Sequence, residues 1–167
     1  LISAVIDRNA DIVIGKSAYT HYLGERPGVV KDGEHGLFSQ DGQSVDLNKV
    51  AQEVAAHRGN VWTHVVSLRR SDAELSGDAE KLGYDNAKAW RDMLRGQANK
   101  LAKAMGIPLL DLRWYAAFHN KETNPHVHIM IYSKDPKEGY LTNNGIEKIR
   151  SAFANDIYSE ELSMLNE

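Results

Sequence analysis

Apolar residues recur at helical spacing in four segments of the chain. The strongest pattern covers 86–105, where large apolar side chains return every three or four positions, and Gly106 follows as a stop. Shorter helices are predicted over 17–25, over 46–58 with an aspartate cap at its first position, and over 144–162. The face of the second helix that we expect to be buried carries Val50, Val54 and Ala55.

Strand patterns occupy three other segments. Alternation and β-branched residues predict a strand over 61–69, and two more are predicted over 109–119 and 126–133. The last two are joined by too few residues for a parallel crossover, so they should pair antiparallel. The glycine-rich stretch 31–44 reads as a loop, and 1–16 is assigned to no element. The order predicts an α+β fold, a central antiparallel β-sheet with helices packed on it.

Composition narrows the class of protein. The 167 residues, 42% of them hydrophobic, suit a single domain over 1–167 with its own core. The chain has no cysteine, which excludes disulfides and thiolate metal sites. A net charge of −3 argues against a broad basic surface for non-specific DNA binding. No segment resembles a membrane span or a signal peptide, so we expect no membrane insertion, and because the chain starts at Leu1 we expect a fragment of a longer protein.

Three histidines stand close together near the end of the predicted sheet. His126 and His128 share one face of their strand, because side chains alternate, and the short turn brings His119 back toward them. Three imidazoles converging on one point would leave metal positions open, as in catalytic sites. Glu122, in the turn, could orient a metal ligand or accept a proton, or it could be a solvated turn residue. His64 could join the site or be a partly buried sheet histidine, and a His-x-His pair can also be simply two solvated side chains.

Three segments resemble the motifs of one enzyme family, the HUH relaxases. The stretch 119–131, one histidine, a turn and then His-hydrophobic-His, resembles their third motif. Residues 22–28 resemble the first motif of the MOBP class, and 62–70 resemble the second. The tyrosine precedes the histidines, as in relaxases, whereas rolling-circle initiators usually have the reverse order. One departure is Lys121, where the family often has an acidic residue.

The resemblance implies a reaction and a nucleophile. A relaxase nicks one DNA strand at a transfer origin by tyrosine transesterification, forming a 5′-phosphotyrosine adduct for conjugative transfer or mobilisation. Tyr22, just before the turn at Pro27, occupies the position of the nucleophile. Tyr19, one helical turn earlier, is the reserve candidate, and His21 is a remote one because a few relaxases use histidine.

The resemblance also implies a sheet of the palm type, a metal and partners. One divalent ion is expected at the histidines, Mn²⁺ or Mg²⁺ by resemblance, while imidazole ligands also suit Zn²⁺, Ni²⁺ or Co²⁺. Single-stranded or locally melted origin DNA is the expected substrate. Trp62 and Trp114 could stack on its bases or could be core aromatics. Accessory relaxosome proteins, a coupling protein and a cytoplasmic location are implied as well. The candidate DNA contacts are Arg26, Ser67, Arg69 and Arg70.

Other functions fit parts of this pattern. An HUH replication initiator or transposase would share the covalent chemistry but not the motif order. A metal-dependent hydrolase would use metal-bound water and form no protein–DNA adduct. A DNA-binding or regulatory domain with incidental histidines would bind metal poorly and leave DNA uncut.

Overall fold

The computed structural model contains a five-stranded antiparallel sheet. It describes residues 2–8, 16–31, 33–42, 45–70, 84, 86–119 and 126–157, without the side chains of 2–8, 16–18 and 68–70. The strands lie in the order β1-β3-β5-β4-β2, and every neighbouring pair is antiparallel. They are β1 (Ile2–Arg8), β2 (Leu37–Phe38), β3 (Val61–Arg70), β4 (Leu112–His119) and β5 (His126–Ser133).

Five α-helices of the described part pack on this sheet, so the predicted α+β fold is confirmed. None of them is long and apolar enough to cross a membrane. They are α1 (Lys16–Glu25), α2 (Leu47–Ala56), α3 (Ala87–Gly96), α4 (Ala98–Ala104) and α5 (Asn143–Ile157).

The two faces of the sheet differ in what covers them. On one face, buried residues of β4 and β5 such as Trp114, Phe118 and Ile129 pack in one core cluster with residues of α3, α4 and α5. On the other face, Met130 and Tyr132 of β5 pack in a second cluster with residues of α1 and α2. Because side chains alternate along β5, His126 and His128 lie on this second face, farther along the strand.

The cap and the buried face of α2 were largely predicted from the sequence. The Asp46 side chain accepts a hydrogen bond from the Lys49 amide, which confirms the predicted cap of α2. Val50 and Val54 are buried as predicted, but Ala55 is exposed and Ala51 is buried instead. The expectation for Ala55 was wrong: the buried face of α2 consists of Leu47, Val50, Ala51 and Val54, and it ends one residue before Ala55, near the end of the helix.

The long helix predicted over 86–105 is interrupted. It divides into α3 and α4 at Gln97, whose backbone leaves helical geometry at φ −100° and ψ 4°. The Gln97 side chain donates a 2.6 Å hydrogen bond to Asp156 of α5. The break is therefore tied to tertiary packing, which apolar periodicity does not report.

Three other segments differ from their predicted secondary structure. The strand predicted over 109–119 begins at Leu112, since Leu109–Asp111 forms a 3-10 turn. The predicted loop 31–44 contains β2, which pairs with Ala116 and Ala117 of β4. Strand β1, in the segment assigned to no element, pairs with β3 over its whole length. The final helix is confirmed to Ile157, and the part predicted beyond it lies outside the described residues.

Candidate active site

The three histidines of the predicted cluster meet at one end of β4 and β5. His119 is directly opposite His126 in the antiparallel register, and His128 is opposite Ala117, so all three share one face. The ring centroids are 5.3 Å apart for His119 and His126, 4.7 Å for His119 and His128, and 5.0 Å for His126 and His128. The predicted convergence is confirmed.

The chemistry of this cluster suits a divalent metal ion. One nitrogen from each ring can be chosen so that all three lie within 4.8 Å of one another. His119 is fully buried, His128 is nearly so, and His126 is half-buried, which leaves the cluster open on one side. The residues present therefore fit a metal with free coordination positions.

Arg26 connects the histidine cluster with Tyr22. Its guanidinium carbon lies 4.7 Å from the centroid of the Tyr22 ring, in cation–π contact. Its Nη1 lies 3.2 Å from Nε2 of His128. A guanidinium only donates hydrogen bonds, so this imidazole nitrogen is the acceptor. The Tyr22 ring, 44% exposed, thus stands beside the cluster with one arginine between them.

The backbone after α1 explains why Arg26 reaches this point. The Arg26 amide closes the last turn of the helix on the Tyr22 carbonyl, and Gly28 then adopts a φ of 91° that permits the chain to reverse. Val29 forms an isolated antiparallel bridge with His119, and the Val30 amide donates to the Phe118 carbonyl at 2.8 Å. The end of α1 is thereby fastened to the end of β4 that carries a histidine of the cluster.

The family of the chain follows from comparison with known sequences. The sequence model of the MobL relaxases matches residues 8–164, a stretch that includes all three motifs. The chain belongs to the MobL relaxases. The comparisons with curated proteins and with solved structures returned no match. Membership makes the chain a DNA relaxase, a DNA-nicking enzyme of mobilisation and conjugation whose substrate is DNA.

The reserve nucleophile of this relaxase is less accessible than Tyr22. Tyr19 is 5% exposed and packs in the core cluster that α1 and α2 form on the sheet, with its ring centroid 6.3 Å from that of Tyr22. His21 points elsewhere on α1, and its Nδ1 lies 3.2 Å from a carboxylate oxygen of Glu25. Tyr22 combines a 44% exposed side chain with a contact to Arg26, beside the histidine cluster.

The predicted DNA-contacting residues differ in burial, and the structure describes only some of their side chains. Arg26 lies in the site, as described above. Ser67 is directly opposite His126 on β3, and its side chain is 3% exposed. Arg69 and Arg70 end β3 in backbone register with β1, but their side chains lie outside the described residues. Glu122, the predicted proton acceptor, lies outside them too.

Two expectations for aromatic and histidine residues are settled by the face of the sheet on which they lie. His64 is opposite Ile129, on the face away from the cluster, and is buried. It does not join the site, and the reading as a sheet histidine is the correct one. Trp62 and Trp114 lie on that same face, where their indole nitrogens donate to the Gly139 carbonyl and to the Gln40 side chain. Trp114 is buried in the core cluster on that face and Trp62 packs against it, as expected for core aromatics.

Sequence reasoning missed one contact and one structural histidine. Nothing in the spacing of residues 26 and 128 indicates that their side chains meet. His35, within the segment 31–44 that was predicted to be a loop, is buried, with Nδ1 accepting from the Leu37 amide and Nε2 2.6 Å from the Val45 carbonyl. It holds together the loop that follows the Arg26 turn.

Proposed function

We propose that this MobL relaxase nicks one DNA strand at a transfer origin by attack of Tyr22 on the scissile phosphate. The observation that supports the proposal most is the position of Arg26, between the Tyr22 ring and a histidine of the cluster. An exposed phenol beside a candidate metal site is what attack on a phosphodiester requires, because reacting groups must be held in line.

The reaction exchanges one phosphodiester for another. The Tyr22 oxygen forms a bond to phosphorus while the bond from phosphorus to the 3′-oxygen breaks, giving a 5′-phosphotyrosine and a free 3′-hydroxyl. A phenol with a pKa of about 10 needs a proton acceptor at neutral pH. We assign that role to Glu122 as a proposal, and the leaving 3′-oxygen takes up a proton in the same step.

His119, His126 and His128 would hold one divalent ion, Mn²⁺ or Mg²⁺ in the cell, with Zn²⁺, Ni²⁺ and Co²⁺ as further ions that imidazoles accept. When bound, such an ion supplies positive charge that stabilises the negative charge developing on phosphate oxygens. Three neutral ligands leave that charge undiminished. The surrounding protein contributes burial of His119 and His128, which fixes the direction of their rings.

DNA contacts are proposed for Arg26, Ser67, Arg69 and Arg70. Arginines suit phosphate because their planar fork can donate two parallel hydrogen bonds. The Ser67 hydroxyl, beside His126, would donate close to the scissile phosphate. The wider setting is also a proposal: one domain of a longer cytoplasmic protein that works with accessory relaxosome proteins and a coupling protein.

The test is a search for the covalent adduct. The chain is incubated with Mn²⁺ and end-labelled single-stranded DNA containing its origin, and the products are separated on a denaturing gel. Tyr22→Phe should abolish the adduct, since it removes the attacking oxygen and keeps the ring under Arg26. Mn²⁺ affinity and DNA binding should stay within about twofold, because the lost hydroxyl belongs to a half-exposed side chain.

Tyr19→Phe is the matched control and should retain most nicking. If Tyr19→Phe loses the adduct and Tyr22→Phe keeps it, the nucleophile is one helical turn earlier. If DNA is cut without an adduct in every variant, the enzyme is a metal-dependent hydrolase. An adduct with the right chemistry but on a replication origin would indicate an HUH initiator or transposase.

A further inference from the structure

Arg26 holds one of the two ring nitrogens through which His128 could bind a metal ion. Its Nη1 is 3.2 Å from Nε2 of His128, and its guanidinium also lies over the Tyr22 ring at 4.7 Å. The imidazole Nε2 accepts this hydrogen bond through its lone pair, since arginine has no acceptor to offer. A neutral imidazole has only one such lone pair, so a metal ion bound through either ring nitrogen would need it. Arg26 and a metal ion therefore cannot both bind the His128 ring.

Charge adds to this exclusion. A divalent cation and a guanidinium held a few ångströms apart repel each other, and the burial of His119 and His128 weakens the screening by water. Arg26 is also not free to retreat far. Its backbone is fixed by the hydrogen bond to the Tyr22 carbonyl and by the Val29 bridge to His119, and its guanidinium is attracted to the Tyr22 ring.

We propose that Arg26 competes with the metal for the lone pair of the His128 imidazole and links metal binding to the proposed nucleophile. The inference rests on the metal site of the proposed function. With His128 engaged by an ion, the guanidinium would lose that hydrogen bond and would keep its contact with the Tyr22 ring. Its N–H groups beside the histidine cluster would then be available to a phosphate oxygen. Arg26 thus weakens metal binding and promotes DNA nicking.

The experiment is a Mn²⁺ titration of the 167-residue chain without DNA, with free Mn²⁺ measured by electron paramagnetic resonance. Arg26→Ala should bind Mn²⁺ about tenfold more tightly than the unaltered chain, because both the competing hydrogen bond and the repulsion are lost. Arg26→Gln removes the charge and keeps an amide donor, so its affinity should fall between the two. Arg58→Ala is the control: it removes one exposed positive charge on the loop after α2 and should leave the affinity unchanged.

The same variants separate this role from a merely structural one. Arg26→Ala should lower the nicking rate at saturating Mn²⁺ by about a hundredfold while it tightens Mn²⁺ binding. A residue that only supports the fold would weaken both, and circular dichroism of each variant checks the fold directly. Equal or weaker Mn²⁺ binding by both Arg26→Ala and Arg26→Gln overturns the proposal, as does the absence of Mn²⁺ binding by all of the variants.

Failure of the proposed competition between Arg26 and the metal can be distinguished from failure of the proposed function. The Tyr22 adduct is measured at saturating Mn²⁺, where competition by Arg26 no longer matters. A chain that forms the adduct but binds Mn²⁺ identically with and without Arg26 keeps the relaxase mechanism and loses this inference.

Discussion

At the scale of single residues, the three histidines of the cluster differ in their exposure to solvent. His119 is fully buried at the end of β4, whereas His126, its neighbour across the ladder, is half-buried. Removing a buried imidazole leaves a cavity as well as a missing ligand, so its loss would mix stability with metal binding. His126 is therefore the better position for testing coordination alone.

His126→Ala should abolish Mn²⁺ binding and nicking together while leaving the fold intact. A ligand at one hundred times its Kd stabilises a protein by about 2.7 kcal/mol, which corresponds to a rise of roughly 5–10 °C in Tm for a chain of this size. The unaltered chain should show this rise with Mn²⁺ and lose it with EDTA, and His126→Ala should show none. His21→Ala is the control, since that exposed ring contacts Glu25 on its own helix. A full Tm rise in His126→Ala would contradict the predicted ligand set.

At the scale of elements, the segment between α1 and β2 determines where Arg26 stands. Val29 and Val30 are bonded to β4, and the Gly36 amide donates to the Gly24 carbonyl of α1 at 2.9 Å. The segment is therefore fastened both to the sheet and to the helix that carries Tyr22. A side chain at Gly36 would have no room, because its Cβ would lie 2.3 Å from Cγ2 of Val29.

Gly36→Ala should lower the free energy of unfolding by about 1–3 kcal/mol, since a methyl group forced into a packed site moves backbone. Gly96→Ala is the matched substitution at the end of α3, where a Cβ meets nothing within 4 Å. It should raise stability by up to about 1 kcal/mol, because alanine is the better helix former. Urea unfolding of both variants checks the signs. Equal effects would show that the close packing of Gly36 is not what fixes the segment.

At the scale of the whole molecule, the core formed with α3, α4 and α5 and the histidine cluster lie on opposite faces of the sheet. One face packs against α3, α4 and α5, and the other carries α1 and α2 over Met130 and Tyr132, with the histidine cluster farther along β5. The net charge of −3 leaves little general attraction for DNA. Binding must therefore depend on a few local cations, of which Arg26 is the one in the described site.

Single-stranded origin DNA should be nicked much faster than the same sequence as relaxed linear duplex, because the proposed nucleophile, Tyr22, must reach a phosphate held in line. The ratio of initial rates measures this, with negatively supercoiled plasmid as an intermediate substrate. Salt should weaken binding only modestly, since few phosphates are neutralised. Equal rates on single strand and relaxed duplex would contradict an active site that needs melted DNA.

Much of the fold and of the candidate site could be predicted from local sequence. The His-x-His spacing on a strand, preceded by a histidine across a short turn, is enough to bring three rings together, because strand alternation and hairpin closure are local rules. The Asp46 cap and β5 follow from equally local signals. The motif order led to the relaxase family, which the family match confirms. The metal and the role of Tyr22 stay predictions.

Tertiary structure decided what local rules do not contain. The break at Gln97 is tied to Asp156 on another helix, and β1 pairs with a strand more than fifty residues away along the sequence. The face of His64 depends on register within the sheet, which alternation alone leaves open. Most important, Arg26 meets His128 across 102 positions of the chain. Sequence set which side chains could do chemistry, and packing of α1 against the sheet decided which of them touch.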